Sequence, residues 1–198
     1  MPAQVVIAQP LTPERFLDLE ALFSQKGCSF ARGCWCMEYR ESGRAVPPGG
    51  VRLADVRRQR MRELAAASPA PGLIGYGAEG EPVGWVSLGP REAFVKLKRS
   101  PVMKPVDNRP VWSIICFVVP APYRVAGVAV ALLGHAIGHA RACGALTLEA
   151  YPIDKPGRSP GQWLWHGTMS MFERAGFSEV ARRKPHRPIM RLELGDPS

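Results

Sequence analysis

An α/β (α+β) fold, a sheet flanked by helices, is predicted by the order of segments in this 198-residue chain. Three observations carry that reading. Residues 111–119 are apolar, aromatic and β-branched, as a strand buried on both faces requires. From there a loop of small residues leads into apolar spacing of helical period over 127–143. Residues 73–78 and 83–88 form two short strands separated by Glu79-Gly80-Glu81, a turn that makes an antiparallel hairpin.

The remaining elements come in chain order. Residues 4–8 read as a first strand, and Thr12 with Pro13 supplies an N-cap and a favoured first helical residue. The first helix then turns Phe16, Leu19, Leu22 and Phe23 toward the core. Residues 27–50 read as an irregular, cysteine-bearing connection that ends in the breaker cluster Pro47-Pro48-Gly49-Gly50. A second helix over 51–67 presents Leu53, Val56, Met61 and Leu64 inward and its arginines outward. Residues 91–109 read as a long basic loop, of a length that is usually functional or mobile. After the helix over 127–143 come a strand at 146–151, a lid-like Pro/Gly-rich segment at 152–161 and a last helix at 168–175. Gly176 stands at the C′ position of that helix, and strands at 179–183 and 189–194 close the chain. Length and a 46% hydrophobic content suit one domain, residues 1–198, with a sizeable core.

The net charge of +9, from 26 basic and 17 acidic side chains, attracts anions of any kind. No nucleic-acid-binding motif accompanies it and no aromatic pairs are interleaved with it, so nucleic acid is not the expected partner. The five cysteines are an odd number, and the first ten residues lack a basic n-region with a long apolar run. Reduced thiols and a cytoplasmic location are the expectation. Pro120, Arg124, Gly134 and His135 break the longest apolar stretches, so no membrane span is expected.

The loop after the central strand has the makings of an anion site. Gly127 and the small residues Ala126 and Ala129 let backbone N–H groups approach a phosphate at the positive end of a helix, and Arg124 adds a charge. No second and third glycine follow Gly127 at the spacing of a dinucleotide fingerprint. Arg124-Val125-Ala126-Gly127-Val128-Ala129 instead resembles the (Gln/Arg)-x-x-Gly-x-(Gly/Ala) signature of the GNAT acyl-CoA-dependent N-acetyltransferases. Met171-Phe172-Glu173-Arg174-Ala175-Gly176-Phe177 resembles the ending of that family's last helix, and the likeness extends over about 72–194.

This resemblance implies a mixed, mostly antiparallel sheet splayed between its two central strands. It implies transfer of an acetyl or other short acyl group from acyl-CoA to the amine of a small-molecule or peptide acceptor. Acetyl-CoA would be the co-substrate, no metal is called for, and a homo-oligomer is compatible with the family. The thioester arm would lie along Phe117, Val118 and Val119, and the pyrophosphate on Val125, Ala126, Gly127, Val128 and Ala129. A backbone N–H near Val118 or Val119 would polarise the thioester carbonyl.

The proton-transfer residues depart from the family pattern. Some relatives carry a glutamate where this chain has Ser113, and many carry a tyrosine where it has Phe172. Ser113 could act only by relay through water; Tyr151 and His166 are candidate acids in place of the missing tyrosine, with core packing and a plain loop histidine the other roles open to them, and Glu149 is read as a partner for an arginine. A fold of this kind that binds acyl-CoA without catalysis is the competing reading. In the family arrangement the segment Cys28 to Met37 borders the acceptor, so Cys34, Trp35 and Met37 are candidate acceptor-binding residues; buried packing is the other role open to them. Cys34-Trp35-Cys36 lacks the spacing of a structural zinc knuckle, and His135 and His139 lack the intervening glutamate of a zincin helix.

Overall fold

The structure, a computed structural model, describes residues 7–42, 47, 49–124, 126–154 and 165–195. Seven strands, β1 (Ile7–Pro10), β2 (Gly72–Tyr76), β3 (Pro82–Pro90), β4 (Trp112–Val118), β5 (Thr147–Ala150), β6 (Ser178–Lys184) and β7 (Arg187–Glu193), form one sheet among these residues. Their order is β1-β2-β3-β4-β5-β7-β6. Every pairing is antiparallel except β4 with β5, which run parallel on either side of the crossover helix α5 (Val128–Ala142). The sheet is therefore mixed and mostly antiparallel, as the resemblance implies.

Helices cover both faces. On one, α5 buries Val128, Leu132, Leu133, Ala136 and Ala140, a stripe at helical spacing, against Val83, Val86, Ile114 and Phe117 of the sheet. Its close approach depends on Gly84 of β3, where a Cβ would lie 2.8 Å from both Val128 and Leu132. The short α6 (Met169–Arg174) adds Met171 and Phe172 to the same core, and its Thr168 cap accepts from the Met171 N–H at 3.3 Å. On the other face, α1 (Phe16–Ser24), α2 (Ser29–Cys34) and α3 (Leu53–Leu64) close over Ile74, Tyr76 and Trp85. A third apolar cluster joins Phe94 and Leu97 to Ile115, Tyr151 and Ile189.

Several elements differ from the sequence expectation. The cysteine-bearing connection is not wholly irregular, because 29–34 form α2, which the Cys residues and Gly33 obscured by offering too few turns for a period to show. The basic loop contains a 3₁₀ turn at Arg91–Ala93 and a helix, α4 (Val95–Arg99), anchored by buried Phe94 and Leu97. The segment beyond α4 is held by arginine: Arg183 donates to the carbonyls of Val102, Lys104 and Pro105 at 3.1, 2.6 and 3.1 Å. β1 is observed at Ile7–Pro10, and the earlier part of the expected strand lies outside the described residues, as does most of the lid-like segment. α3 is shorter than expected and fully buries only Met61 of its four apolar positions. No helix among the described residues is long and apolar enough to cross a membrane.

Candidate active site

The two central strands part company early. Trp112, Ser113 and Ile114 of β4 pair with Leu148, Glu149 and Ala150 of β5; beyond them β4 continues to Val118 with no strand beside it on that side among the described residues. The separation coincides with a bulge. Ser87 of β3 faces Cys116 and Leu88 faces Ile114, so Ile115 is an extra residue that bends β4. The splay expected from the family resemblance is thus built from a short parallel register and one inserted residue.

Past Val118 the chain makes a 3₁₀ turn at Ala121–Tyr123 and enters α5 through Gly127, whose φ of 78° is left-handed. A Cβ there would meet nothing within 4 Å, so the backbone conformation and not crowding selects glycine, and the space over the helix start is open. The first amides of α5 have no acceptor within the helix. These features fit an anionic pyrophosphate. Arg124 donates from Nε to the Val119 carbonyl at 3.1 Å and from Nη2 to the Gly27 carbonyl at 2.8 Å, so its charge is held beside the loop by the backbone. Val128 is buried, Ala126 and Ala129 are half-buried against the core, and Val125 lies outside the described residues.

Ser113 and Tyr151 come together, just above the split. Their hydroxyls are 3.0 Å apart, and Tyr151 donates to Glu149 Oε1 at 2.6 Å. Glu149 Oε2 accepts from Arg191 Nε at 2.8 Å, and Arg191 reaches Asp107 at 2.6 and 3.0 Å. Register explains the assembly, since Ser113, Glu149 and Arg191 are direct cross-strand neighbours on β4, β5 and β7. Ser113, Glu149 and Tyr151 are all at most 1% exposed. Burial, then the Glu149 charge, push the Tyr151 phenol well above its ordinary value, so it stays protonated. Arg91 lies 3.8 Å from Glu149 as a second cation.

His166 sits apart from this network, in the split itself. Its Nδ1 is 2.8 Å from the Ile115 carbonyl and its Nε2 is 3.4 Å from the Tyr39 hydroxyl. A carbonyl only accepts, so Nδ1 carries the proton and Nε2 offers its lone pair. Tyr39 donates to that lone pair, and Arg187 lies beside it, both reaching Met103 Sδ, at 3.3 Å from Arg187 Nη2 and 4.0 Å from the Tyr39 hydroxyl. A one-way chain results, from Tyr39 through His166 to the β4 backbone, with Arg187 beside its outer end. Burial, and after it the Arg187 charge, push His166 down to about 3. Burial raises the Tyr39 phenol.

Cys34, Trp35 and Met37 are buried beneath α1, where Trp35 stacks on Phe16 with ring centroids 6.0 Å apart. Tyr39, two residues on, is the first of this segment to reach the split. Phe172 is enclosed by Phe117 and Phe177. His135 and His139 lie on α5 beside β1 and β2, and no group of three or more metal-ligating side chains occurs among the described residues. Tyr39 and Arg187 gave no sequence signal: one follows a segment conspicuous for its cysteines, and the other stands among the basic residues of the last hairpin.

Comparison with known proteins is consistent with this geometry. Solved structures with the same fold include a GNAT-family acetyltransferase from Listeria monocytogenes, at 11% identity, 94% coverage of both chains and a TM-score of 0.55. Arylalkylamine N-acetyltransferase 2 from Aedes aegypti aligns at 12% identity over 96% of this chain and 99% of its own, with a TM-score of 0.55. A chain of the NatC complex bound to Gag peptide and CoA aligns at 14% identity over 98% and 100%, with a TM-score of 0.52. No curated protein sequence matches. The model of the acetyltransferase (GNAT) family matches residues 35–156, more than half of the chain, and takes in the split strands and the Gly127 loop. With the splayed sheet and the left-handed glycine at the start of α5, that match makes this chain a member of the GNAT acetyltransferase family.

Proposed function

We propose that the protein is an N-acetyltransferase that moves an acetyl or other short acyl group from acyl-CoA to an amine. The observation that carries the reading is the free edge of β4 running into the Gly127 start of α5. Backbone groups of Phe117, Val118 and Val119 are available there to pair with an extended amide-bearing arm, and Arg124 with the amides of Ala126, Gly127, Val128 and Ala129 suits a pyrophosphate. Both features act through the backbone, which is why a chain under 20% identical to its structural relatives retains them.

In the reaction the amine nitrogen forms a bond to the acyl carbon, the carbon–sulfur bond breaks, and one amine proton ends on the thiol or in solvent. Magnitudes restrict how His166 takes part. With its imidazolium at about 3, taking a proton from an ammonium of pKa about 10.4 is uphill by roughly seven pH units, on the order of 10 kcal/mol. His166 therefore does not act as a stoichiometric base; it orients the amine by accepting a hydrogen bond at Nε2 once the Tyr39 hydroxyl gives up that lone pair. Ser113 and Tyr151 hold the apex of the split in shape. The thiol leaving group, with a pKa near 8.5, needs little help from an acid.

Calorimetry with acetyl-CoA on the intact protein and on Gly127→Glu and Gly127→Ala tests the reading. Glutamate puts a negative charge into the anion site, and alanine isolates the cost of the left-handed backbone, about 1–2 kcal/mol. Binding by the parent and Gly127→Ala with loss of at least tenfold in Gly127→Glu is expected. Equal binding by a folded Gly127→Glu removes the site.

A further inference from the structure

Arg187 stands out among the charges of the described residues. Among the described residues it is the one half-buried cation whose nitrogens meet neither a carboxylate nor a carbonyl. Its hydrogen-bond partner among them is Met103 Sδ, at 3.3 Å from Nη2, and the Tyr39 hydroxyl lies 4.0 Å from the same sulfur. The other half-buried arginines each meet a carboxylate or a carbonyl: Arg57 meets Glu38 and Glu41, Arg183 three carbonyls, Arg40 the carbonyls of Pro71 and Leu88 from Nη2 although its Nε is left without a partner, and Arg15 that of Pro10. Glu38, whose charge is felt by Tyr39, is already shared between Arg57 and Lys96. Residues 155–164 contain no aspartate or glutamate that could serve.

A guanidinium drawn from water without a counter-charge is costly to keep, and its planar donors match a carboxylate. Tyr39, beside it, holds the Nε2 lone pair of His166, and a carboxylate that takes the Tyr39 hydroxyl frees that atom to orient the acceptor amine. We propose that Arg187 and Tyr39 form a carboxylate subsite, and that the acceptor is a small amino acid whose acid group docks there while its amine faces His166. The amine half of this statement rests on the acyl-transfer reading above; the carboxylate half rests on Arg187 alone. A bound carboxylate also cancels the positive charge that, after burial, keeps His166 from accepting a proton, so the correct acceptor improves the group that receives it.

The test compares α-, β- and γ-amino acids with their carboxamides as acceptors of acetyl from acetyl-CoA, the product read by mass spectrometry and the rate by thiol release. The intact protein is expected to favour acids over matched amides by at least about tenfold in kcat/KM, one charge-assisted pair being worth that much. Arg187→Gln should bring the ratio to within about threefold of one, and Arg187→Lys should keep part of the preference. A ratio near one in the intact protein overturns the proposal whether or not the variants fold, and so does an unchanged ratio in a folded Arg187→Gln. If acetyl-CoA itself does not bind, the acyl-transfer reading fails separately. The same acid and amide pairs, titrated by calorimetry without it, then decide the carboxylate subsite: tighter binding of the acids upholds it and equal or absent binding removes it.

Discussion

Trp85 is fully buried, and its indole N–H donates to Cys36 Sγ at 3.2 Å. Sulfur is a weak acceptor, yet a buried donor left without one costs about 1–3 kcal/mol. Trp35 and Cys36 both hold left-handed backbone, with φ of 49° and 52°, which turns the chain so that the sulfur meets the indole. Cys36→Ala should lower unfolding stability by about 1–3 kcal/mol in urea titrations, and Trp85→Phe in the same background should recover part of it. A fully additive double mutant would show that the contact contributes nothing. His166 carries a second prediction at this scale. Its folded pKa of about 3 lies below the unfolded value near 6.5, so its contribution is complete above pH 6.5 and is lost as pH falls toward 3, because the unfolded chain takes up the proton first. Between pH 7 and pH 5 this amounts to about 2 kcal/mol. His139, also lowered by burial, adds in the same direction. His166→Gln should flatten the dependence of the urea midpoint on pH over this window, and an unchanged slope would mean that the imidazole is freely protonated.

At the scale of elements, the junction of β4, β5 and β7 is held by polar groups. Glu149 stands between Tyr151, Arg191 and Arg91 with no exposure, and removing its carboxylate leaves Arg91 without a counter-charge and Arg191 with Asp107 alone. Glu149→Ala should cost about 3–5 kcal/mol, against about 1–2 kcal/mol for Tyr151→Phe, which leaves the charges paired. Catalysis separates the candidate roles of Tyr151. As a positioning residue, its replacement by phenylalanine should change kcat/KM less than about tenfold; a loss of a hundredfold or more at unaltered stability would make it a proton donor. The pH profile asks the parallel question of His166: because it stays neutral far below pH 7, the rising limb of kcat/KM should track the amine pKa of whichever acceptor is used. A limb fixed near 6 to 7 for all acceptors would identify an enzymic base instead.

Across the whole molecule, the features legible in the sequence are those written locally. β4 shows as a continuous apolar run, α5 as a helical stripe, and Gly127 as a small residue at a strand-to-helix joint, and each is near where it was expected. The short helices α2 and α4 were missed; for α4, Phe94 and Leu97 alone cannot outweigh the lysines and arginines around it. The Tyr39–His166 contact spans 127 positions, and nothing in either neighbourhood anticipates it. The same holds for Arg187, whose isolation is visible only once every other half-buried arginine has been assigned a partner. Arg124 lies between these extremes, expected at the loop as a charge but found tied to the α1–α2 corner as well. Its hold on Gly27 is close: that glycine, at φ 89°, could not carry a Cβ without meeting the guanidinium at 2.9 Å. One side chain thus fastens the proposed pyrophosphate loop to the layer of helices that covers the opposite side of the sheet. A phosphate that draws on the same guanidinium alters that fastening, and thermodynamic linkage makes the effect mutual. An anion held at the Gly127 loop and the packing of the α1–α2 corner are then coupled through a single arginine.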